Sequence, residues 1–273
     1  TELEHIERSL LLEAIFLRSG YDFRSYAEAS IRRRISQFLS MSGLDSIAQM
    51  IPPALHDDAF LARLIHYFSI CVTEMFRDPF VYEAIRTAII PHLRTYPHIK
   101  IWHAGCATGE EVYSMAIMLQ EEGLLDRTTL YATDLNSTLL ATAKAGIYPI
   151  DDIREATRNY IASGGKHPFS DYYHCKYDAA TMDSSLRQRI TFANHNLVTD
   201  GVFGEMHLIF CRNVLIYFNH DLQNKVLKLF TGSLIHRGFL CLGTKETLEF
   251  TGVKSFYETV DPKAKLYRKV LDS

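Results

Sequence analysis

The residues most suited to chemistry are Ala104-Gly105-Cys106-Ala107-Thr108-Gly109-Glu110-Glu111, which separate a strand-like run from a helical one. Glycines permit a tight turn and let a ligand approach the backbone closely. Such a loop after a parallel strand is where open α/β sheets bind cofactors. No Lys-Ser/Thr pair follows the glycines, so the segment is not a phosphate-gripping P-loop, and it lacks GxGxxG. Glu110 and Glu111 would repel a pyrophosphate but suit a ligand carrying positive charge. The plainer alternative is a strand–helix turn with acidic residues at the positive end of the helix dipole. The loop alone does not decide between the two.

A second candidate is Asp134, which ends the run Leu130–Thr133 and lies 25 residues after Gly109 (134 − 109). An acid at this place and offset can hold two ribose hydroxyls. A helix N-cap is the alternative. Loop, spacing and acid together point to a nucleoside-containing ligand without a pyrophosphate. S-adenosylmethionine fits, with a ribose, an adenine, an ammonium and a sulfonium.

Other patterns lead elsewhere and fail. Cys71 and Arg77 have Cys-x5-Arg spacing, but no glycines lie between them to cradle a phosphate, and Glu74 does. The histidines show no HExxH or paired spacing, so no metal site is expected. The five cysteines form no CxxC pair and read as reduced thiols.

These candidates need a scaffold, and the 273 residues read as about two units. Up to about residue 70 the apolar spacing is helical: Ile31, Ile35, Phe38 and Leu39 mark one helix face, Gly43 a stop and Asp45 a cap for the next helix. A small unit of about four helices is expected there. Strand-like runs at 98–104, 129–133, 207–210 and 238–242 then alternate with helical runs at 110–121, through Leu139–Ala143, and at 222–234. That alternation predicts an α/β fold with a parallel sheet. Two alternating runs around Asp261-Pro262 predict a terminal antiparallel hairpin. Residues 160–195, rich in aromatics and with no clear helix, predict a small β-rich insertion.

Composition excludes less. Twenty-nine basic and 32 acidic residues give a net charge of −3, against a chain-wide nucleic-acid footprint. No apolar run reaches the ~18 residues of a membrane span, and Thr1–Leu11 lacks an export pattern. A cytoplasmic protein without membrane insertion is expected.

Six segments, in order and spacing, resemble one family: Thr73-Glu74-Met75-Phe76-Arg77-Asp78, the glycine loop, Ala132-Thr133-Asp134, Gly146-Ile147-Tyr148, His195-Asn196-Leu197, and Cys211-Arg212-Asn213-Val214-Leu215-Ile216-Tyr217-Phe218. The chain resembles the CheR-type chemotaxis receptor glutamate O-methyltransferases along almost its whole length. The resemblance implies a Rossmann-like S-adenosylmethionine methyltransferase domain over 76–273, a receptor-contacting helical domain over 1–75, and a β-subdomain at 160–195. It implies cofactor contacts from Cys71, Thr73, Arg77, Gly105, Glu111, Asp134, Asn196, Leu197, Arg212 and Asn213. Arg77 and Tyr217 would act at the transferring group. Cys71 stands where members often carry asparagine, and Thr244-Lys245-Glu246 replaces a Ser-Glu-Asn-like run.

The partner implied is the cytoplasmic helical domain of membrane-bound chemoreceptors. Arg32, Arg33 and Arg34 are expected to point away from the apolar face of their helix. A solvated charged face is the bland reading of such a run. The resemblance implies instead a surface for acidic, glutamate-bearing receptor helices, where three arginines would speed encounter.

Overall fold

The computed structural model describes residues 2–69 and 73–271. Two compact units emerge: Thr1–Ile70 with Ile216–Lys225, and Cys71–Leu215 with Val226–Ser273.

Up to Ser69 the first unit consists of α1 (Glu2–Ser19), α2 (Glu28–Ser42), α3 (Ile51–His56) and α4 (Asp58–Ser69). Ile31, Ile35 and Phe38 form the buried stripe of α2, and Gly43 ends it in the left-handed conformation at φ 72°. Prolines 52 and 53 open α3, where a missing N–H does no harm. Asp57 caps α4 by accepting the N–H groups of Ala59 and Phe60 at 2.9 and 3.0 Å. Asp45 is not the expected cap. A short 3-10 turn, Ala48–Met50, intervenes, and Asp45 offers its own N–H to Gln49 Oε1 at 2.9 Å.

The stretch 216–225 belongs to this unit although it is distant in sequence. Ala27 N–H donates to the Tyr217 carbonyl at 2.8 Å, Asn219 N–H donates to the Ser25 carbonyl at 3.0 Å, and Tyr26 packs edge-on against Phe218. This attachment corrects one expectation. Arg32 and Arg33 are exposed, but Arg34 is 6% exposed, its guanidinium 4.5 Å from the Tyr217 ring centroid. Position 34 lies three residues after Ile31 and four before Phe38, inside the apolar stripe. There its charge finds an aromatic face instead of water.

The second unit opens with α5 (Pro79–Ala88) and α6 (Ile90–Leu93), then β1 (Ile99–Ala104), α7 (Glu110–Glu121), β2 (Thr128–Asp134) and α8 (Ser137–Ala145). After an insertion come β6 (Ile190–Asn194), β7 (Met206–Cys211), α11 (His220–Ser233), β8 (Leu234–Leu242), β9 (Tyr257–Asp261) and β10 (Leu266–Lys269). The main sheet runs β6-β2-β1-β7-β8-β10-β9. Its first five strands are parallel, and β10 is antiparallel to both neighbours, which makes the terminal hairpin. This is an α/β fold built on a mixed seven-stranded sheet. From β1 the chain moves outward to β2; β7 lies on the other side of β1. The strand order therefore switches between β1 and β7, and a crevice opens beyond their carboxyl ends at Ala104 and Cys211. The central strands are buried, and Trp102 reaches full burial because its indole N–H donates to Thr133 Oγ1 at 2.8 Å.

The insertion is larger at its start than 160–195. It comprises β3 (Ile147–Pro149), α9 (Ile150–Ala162), β4 (Tyr173–Lys176), β5 (Ala179–Met182) and α10 (Ser184–Arg187), with a separate sheet ordered β3-β5-β4. Strand β6, included in the expected insertion, pairs instead with β2 in the main sheet. A three-residue strand is too short to show alternation. Ile153, Ala156 and Tyr160 are the buried face of α9, and the Tyr160 ring packs at a tilt against Phe169, centroids 5.0 Å apart.

Candidate active site

Backbone geometry at the end of β1 explains the glycine loop. The N–H groups of Gly105 and Cys106 both donate to the Thr133 carbonyl, at 2.8 and 2.9 Å, tying the loop to the end of β2. Gly105 has φ 78°, and a Cβ there would lie 2.5 Å from Val214 Cγ2. Both the conformation and the close approach require glycine. Asp134 accepts the Ala107 N–H through Oδ2 and the Asn136 N–H through Oδ1, each at 2.9 Å. It is not the cap of α8. Asn136 is, accepting from Thr138 and Leu139 N–H. Burial raises the Asp134 pKa against the pull of these N–H bonds. A carboxylate has about four acceptor positions, so capacity remains for a ribose hydroxyl beside these N–H groups. His195 N–H donates to the Asp134 carbonyl at 3.2 Å, which brings the end of β6 alongside. Asn196 and Leu197 follow directly. Leu197 is buried, and Asn196 Oδ1 closes a turn on Val198 N–H at 2.9 Å.

At the end of β7, Arg212 is almost wholly buried among acids. One guanidinium nitrogen lies 2.6 Å from Asp78 Oδ2; the other donates to the Arg77 carbonyl at 3.1 Å and lies 3.5 Å from Glu111 Oε2. Asp78 thus pairs with Arg212. His103 Nδ1 is 3.0 Å from Glu111 Oε1. Burial works to raise the Glu111 pKa, but the hydrogen bond and charge of His103 and the charge of Arg212 outweigh it and hold the carboxyl below its ordinary range. Asn213 adopts φ 62°, a conformation asparagine tolerates, and turns the chain there.

These pieces enclose a small cavity at the switch point, lined by Thr73, Glu74, Arg77, Gly105, Glu111, Arg212, Asn213 and the loop residues beside them. Six of the residues singled out from sequence line it: Thr73, Arg77, Gly105, Glu111, Arg212 and Asn213. Asp134, Asn196 and Leu197 gather at the adjoining strand ends. Tyr217, Arg32, Arg33 and Arg34 belong to the helical unit. Cys71 lies outside the described residues.

Sequence reasoning missed three supporting residues. His103 and Asp78 hold Glu111 and Arg212. Glu246, 4% exposed, accepts the N–H groups of Asn213, Val214 and Gly243 at 3.1, 2.9 and 2.6 Å, pinning the loop after β7 to the loop after β8. A Cβ on Gly243 would lie 2.7 Å from that carboxylate. Glu246 stood out in sequence only within the Thr244-Lys245-Glu246 run, and its role depends on the loop after β7, which the sequence does not bring beside it.

Glu110 turns away from this cavity. It lines a second one of about 330 Å³ with Glu74, Asp152 and Glu155 among apolar neighbours including Tyr148 and Ile153. Burial pushes its pKa up to about 7, against hydrogen bonds from the Thr108 hydroxyl at 2.8 and 2.7 Å. Among the described residues, no group of three or more His, Cys, Asp or Glu side chains could hold a metal ion, and no helix is long and apolar enough to cross a membrane.

Residues 71–264 match the CheR methyltransferase SAM binding domain, and residues 6–69 match the CheR methyltransferase all-alpha domain. The Pseudomonas putida protein Cher3 is 50% identical over 264 residues, covering 97% of each chain. Chemotaxis protein methyltransferases of Listeria innocua and Vibrio cholerae are each 28% identical, the matches covering 84% of this chain and 85% and 84% of theirs. The chain belongs to the CheR methyltransferase family, and its cofactor is S-adenosylmethionine.

Proposed function

We propose that this chain methylates glutamate side chains of bacterial chemoreceptors, forming methyl esters in chemotactic adaptation. The observation that carries the reading is one cavity, at the switch point of a methyltransferase sheet, lined by both an ionised acid and an arginine, Glu111 and Arg77. That pair suits the ammonium and carboxylate of a methionine group, so the donor set fits the cofactor. Asp134 is assigned to the ribose, Asn196 and Leu197 to the adenine, and Thr73, Arg212 and Asn213 to the wall near the transferring group.

When bound, S-adenosylmethionine supplies a methyl group on a positively charged sulfur. A glutamate carboxylate, with an ordinary pKa near 4.3, is already a nucleophile at neutral pH. Its oxygen forms the new bond to carbon while the carbon–sulfur electron pair stays with sulfur, so no residue has to take a proton. The chain's contribution is then placement. Arg77 orients a carboxylate by charge-assisted hydrogen bonds. The Glu111–Arg212–Asp78 series fixes charges before substrate arrives, which avoids reorganisation during transfer. Holding the reacting atoms about 3 Å apart and in line accounts for the remainder.

The receptor is read by Arg32 and Arg33, exposed on α2, against acidic helices. Both residues would meet the cytoplasmic part of the receptor, and a cytoplasmic location goes with that partner. The relatives named as chemotaxis protein methyltransferases support this choice of partner.

The test is incubation with methyl-labelled S-adenosylmethionine and receptor-containing membranes. The expected label is on receptor and is released as methanol by mild base. Base-stable label would indicate nitrogen methylation and contradict the proposal, as would no receptor label at all.

A further inference from the structure

We infer that His103 is the positioning residue for Glu111, fixing the carboxylate that receives the cationic amine of the cofactor's methionine end. The inference rests on the placement of Glu111 proposed above. His103 is fully buried near the end of β1. Its ring lies face to face with Phe210 on the adjacent strand β7, with centroids 4.5 Å apart and planes 8° apart. The stack sets the ring plane, and the strand sets its depth. With both fixed, Nδ1 meets Glu111 Oε1 at 3.0 Å.

The chemistry of that contact is directional. An ionised carboxylate only accepts, so Nδ1 must carry a proton. Nε2, buried, has no hydrogen-bond partner among the described residues. A buried nitrogen left bare is unfavourable by itself. A ring kept solely for packing would do better as an apolar one of similar size. The arrangement makes sense when the Nδ1–H donor has a task.

Arg212 approaches the other oxygen of Glu111, Oε2, at 3.5 Å. The two cationic or N–H partners therefore hold both oxygens from the protein side. Glu111 keeps 16% of its side chain accessible, and it lines the cavity. A long glutamate side chain has many rotamers, and this clamp leaves one. His103 acts through Glu111, as the outer partners of a metal ligand orient that ligand.

The test uses two ligands that differ only at the methionine end. S-adenosylhomocysteine carries the amine and carboxylate; 5′-methylthioadenosine lacks both. Calorimetric titration of His103→Leu should show about a tenfold loss of S-adenosylhomocysteine affinity, while methylthioadenosine stays within about twofold of wild type. Methylthioadenosine binding also reports that the variant's pocket is folded. His103→Asn, whose amide N–H replaces Nδ1–H, should recover most of the loss. In a Glu111→Gln background, His103→Leu should add nearly nothing. Equal losses for both ligands, unchanged S-adenosylhomocysteine binding, or a full further loss in the Glu111→Gln background would each overturn the inference. If Glu111→Gln alone binds S-adenosylhomocysteine like wild type, the placement of Glu111 falls, and the role of His103 with it. If Glu111→Gln weakens binding and His103→Leu does not, only the role of His103 falls.

Discussion

Glu110 and Glu111 are consecutive at the start of α7, yet they face two cavities of different electrical character, one with acids and arginines and one with acids alone. The helix turns about 100° between them. Glu111 looks into the space beyond β1 and β7, where His103 and Arg212 keep it ionised. Glu110 looks toward the insertion, beside Glu74, Asp152 and Glu155, and is held by one threonine hydroxyl. Burial there raises its pKa to about 7. The sequence motif treats the two as a pair. The difference shows that partners decide what a buried carboxylate can do, since both are removed from water and only one stays a dependable anion at neutral pH.

Arg77→Ala should give the largest change, because it removes one of the two arginines lining the Glu111 cavity, the other, Arg212, being paired with Asp78. Turnover is expected to fall about 10²–10³-fold, the usual loss for a preorganised charge at the reacting centre. Binding of S-adenosylhomocysteine should also fall, by about tenfold, because its carboxylate loses the Arg77 partner. Near-normal turnover would remove the contrast on which the site assignment depends.

Glu246→Gln sharpens the contrast from the supporting side. One carboxylate serves three backbone N–H groups, and an amide cannot accept them all. Thermal unfolding should show a loss of about 1–3 kcal/mol, as for a buried donor left without a partner. The KM for S-adenosylmethionine should rise, since Asn213 and Val214 move with it. Unchanged stability would show the clamp to be unimportant.

The pH dependence of Glu110 provides a third test. Its folded pKa, about 7, lies above the ordinary 4.5. Between those values the unfolded chain has lost the proton and the folded chain retains it, so folding is disfavoured progressively as pH rises from 4.5 to 7. Glu110→Gln removes that term. The variant should match wild type in stability below pH ~4 and exceed it at pH ~8 by up to about 3 kcal/mol. Equal melting curves at both pH values would contradict the electrostatic difference between the two cavities.

The smallest effect belongs to the surface. Arg32→Ala with Arg33→Ala should lower receptor methylation a few-fold at low salt and weaken its salt dependence, with cofactor affinity unchanged. A fall in cofactor affinity would show a structural role instead. Arg34→Ala belongs in a separate experiment, because Arg34 is buried against Tyr217 and its loss should lower the stability of the helical unit.

The alternation of strands and helices and the boundaries of α7 could be read from the sequence because each element carries its own apolar period. Gly105, Glu111, Asp134, Arg212 and Asn213 stood out because they cluster in short motifs next to strand ends. What could not be read depends on pairing across the chain. Tyr217 joins the helical unit through Ser25, Tyr26 and Ala27, far away in sequence, and Arg34 is buried as a consequence. His103 looks like one more strand residue until β7 brings Phe210 beneath it and α7 brings Glu111 beside it. β3 was hidden by its length, and α9 behind it went unrecognised, which is why the insertion was expected to start too late.

The most direct test of the contrast is titration of S-adenosylhomocysteine into wild type, Glu111→Gln and Glu110→Gln at pH ~7. With the cofactor's amine facing Glu111, affinity should fall at least about tenfold in Glu111→Gln and stay within about twofold in Glu110→Gln, given the strength of charge-assisted hydrogen bonds. A larger loss in Glu110→Gln than in Glu111→Gln would place the methionine end in the other cavity and contradict the account.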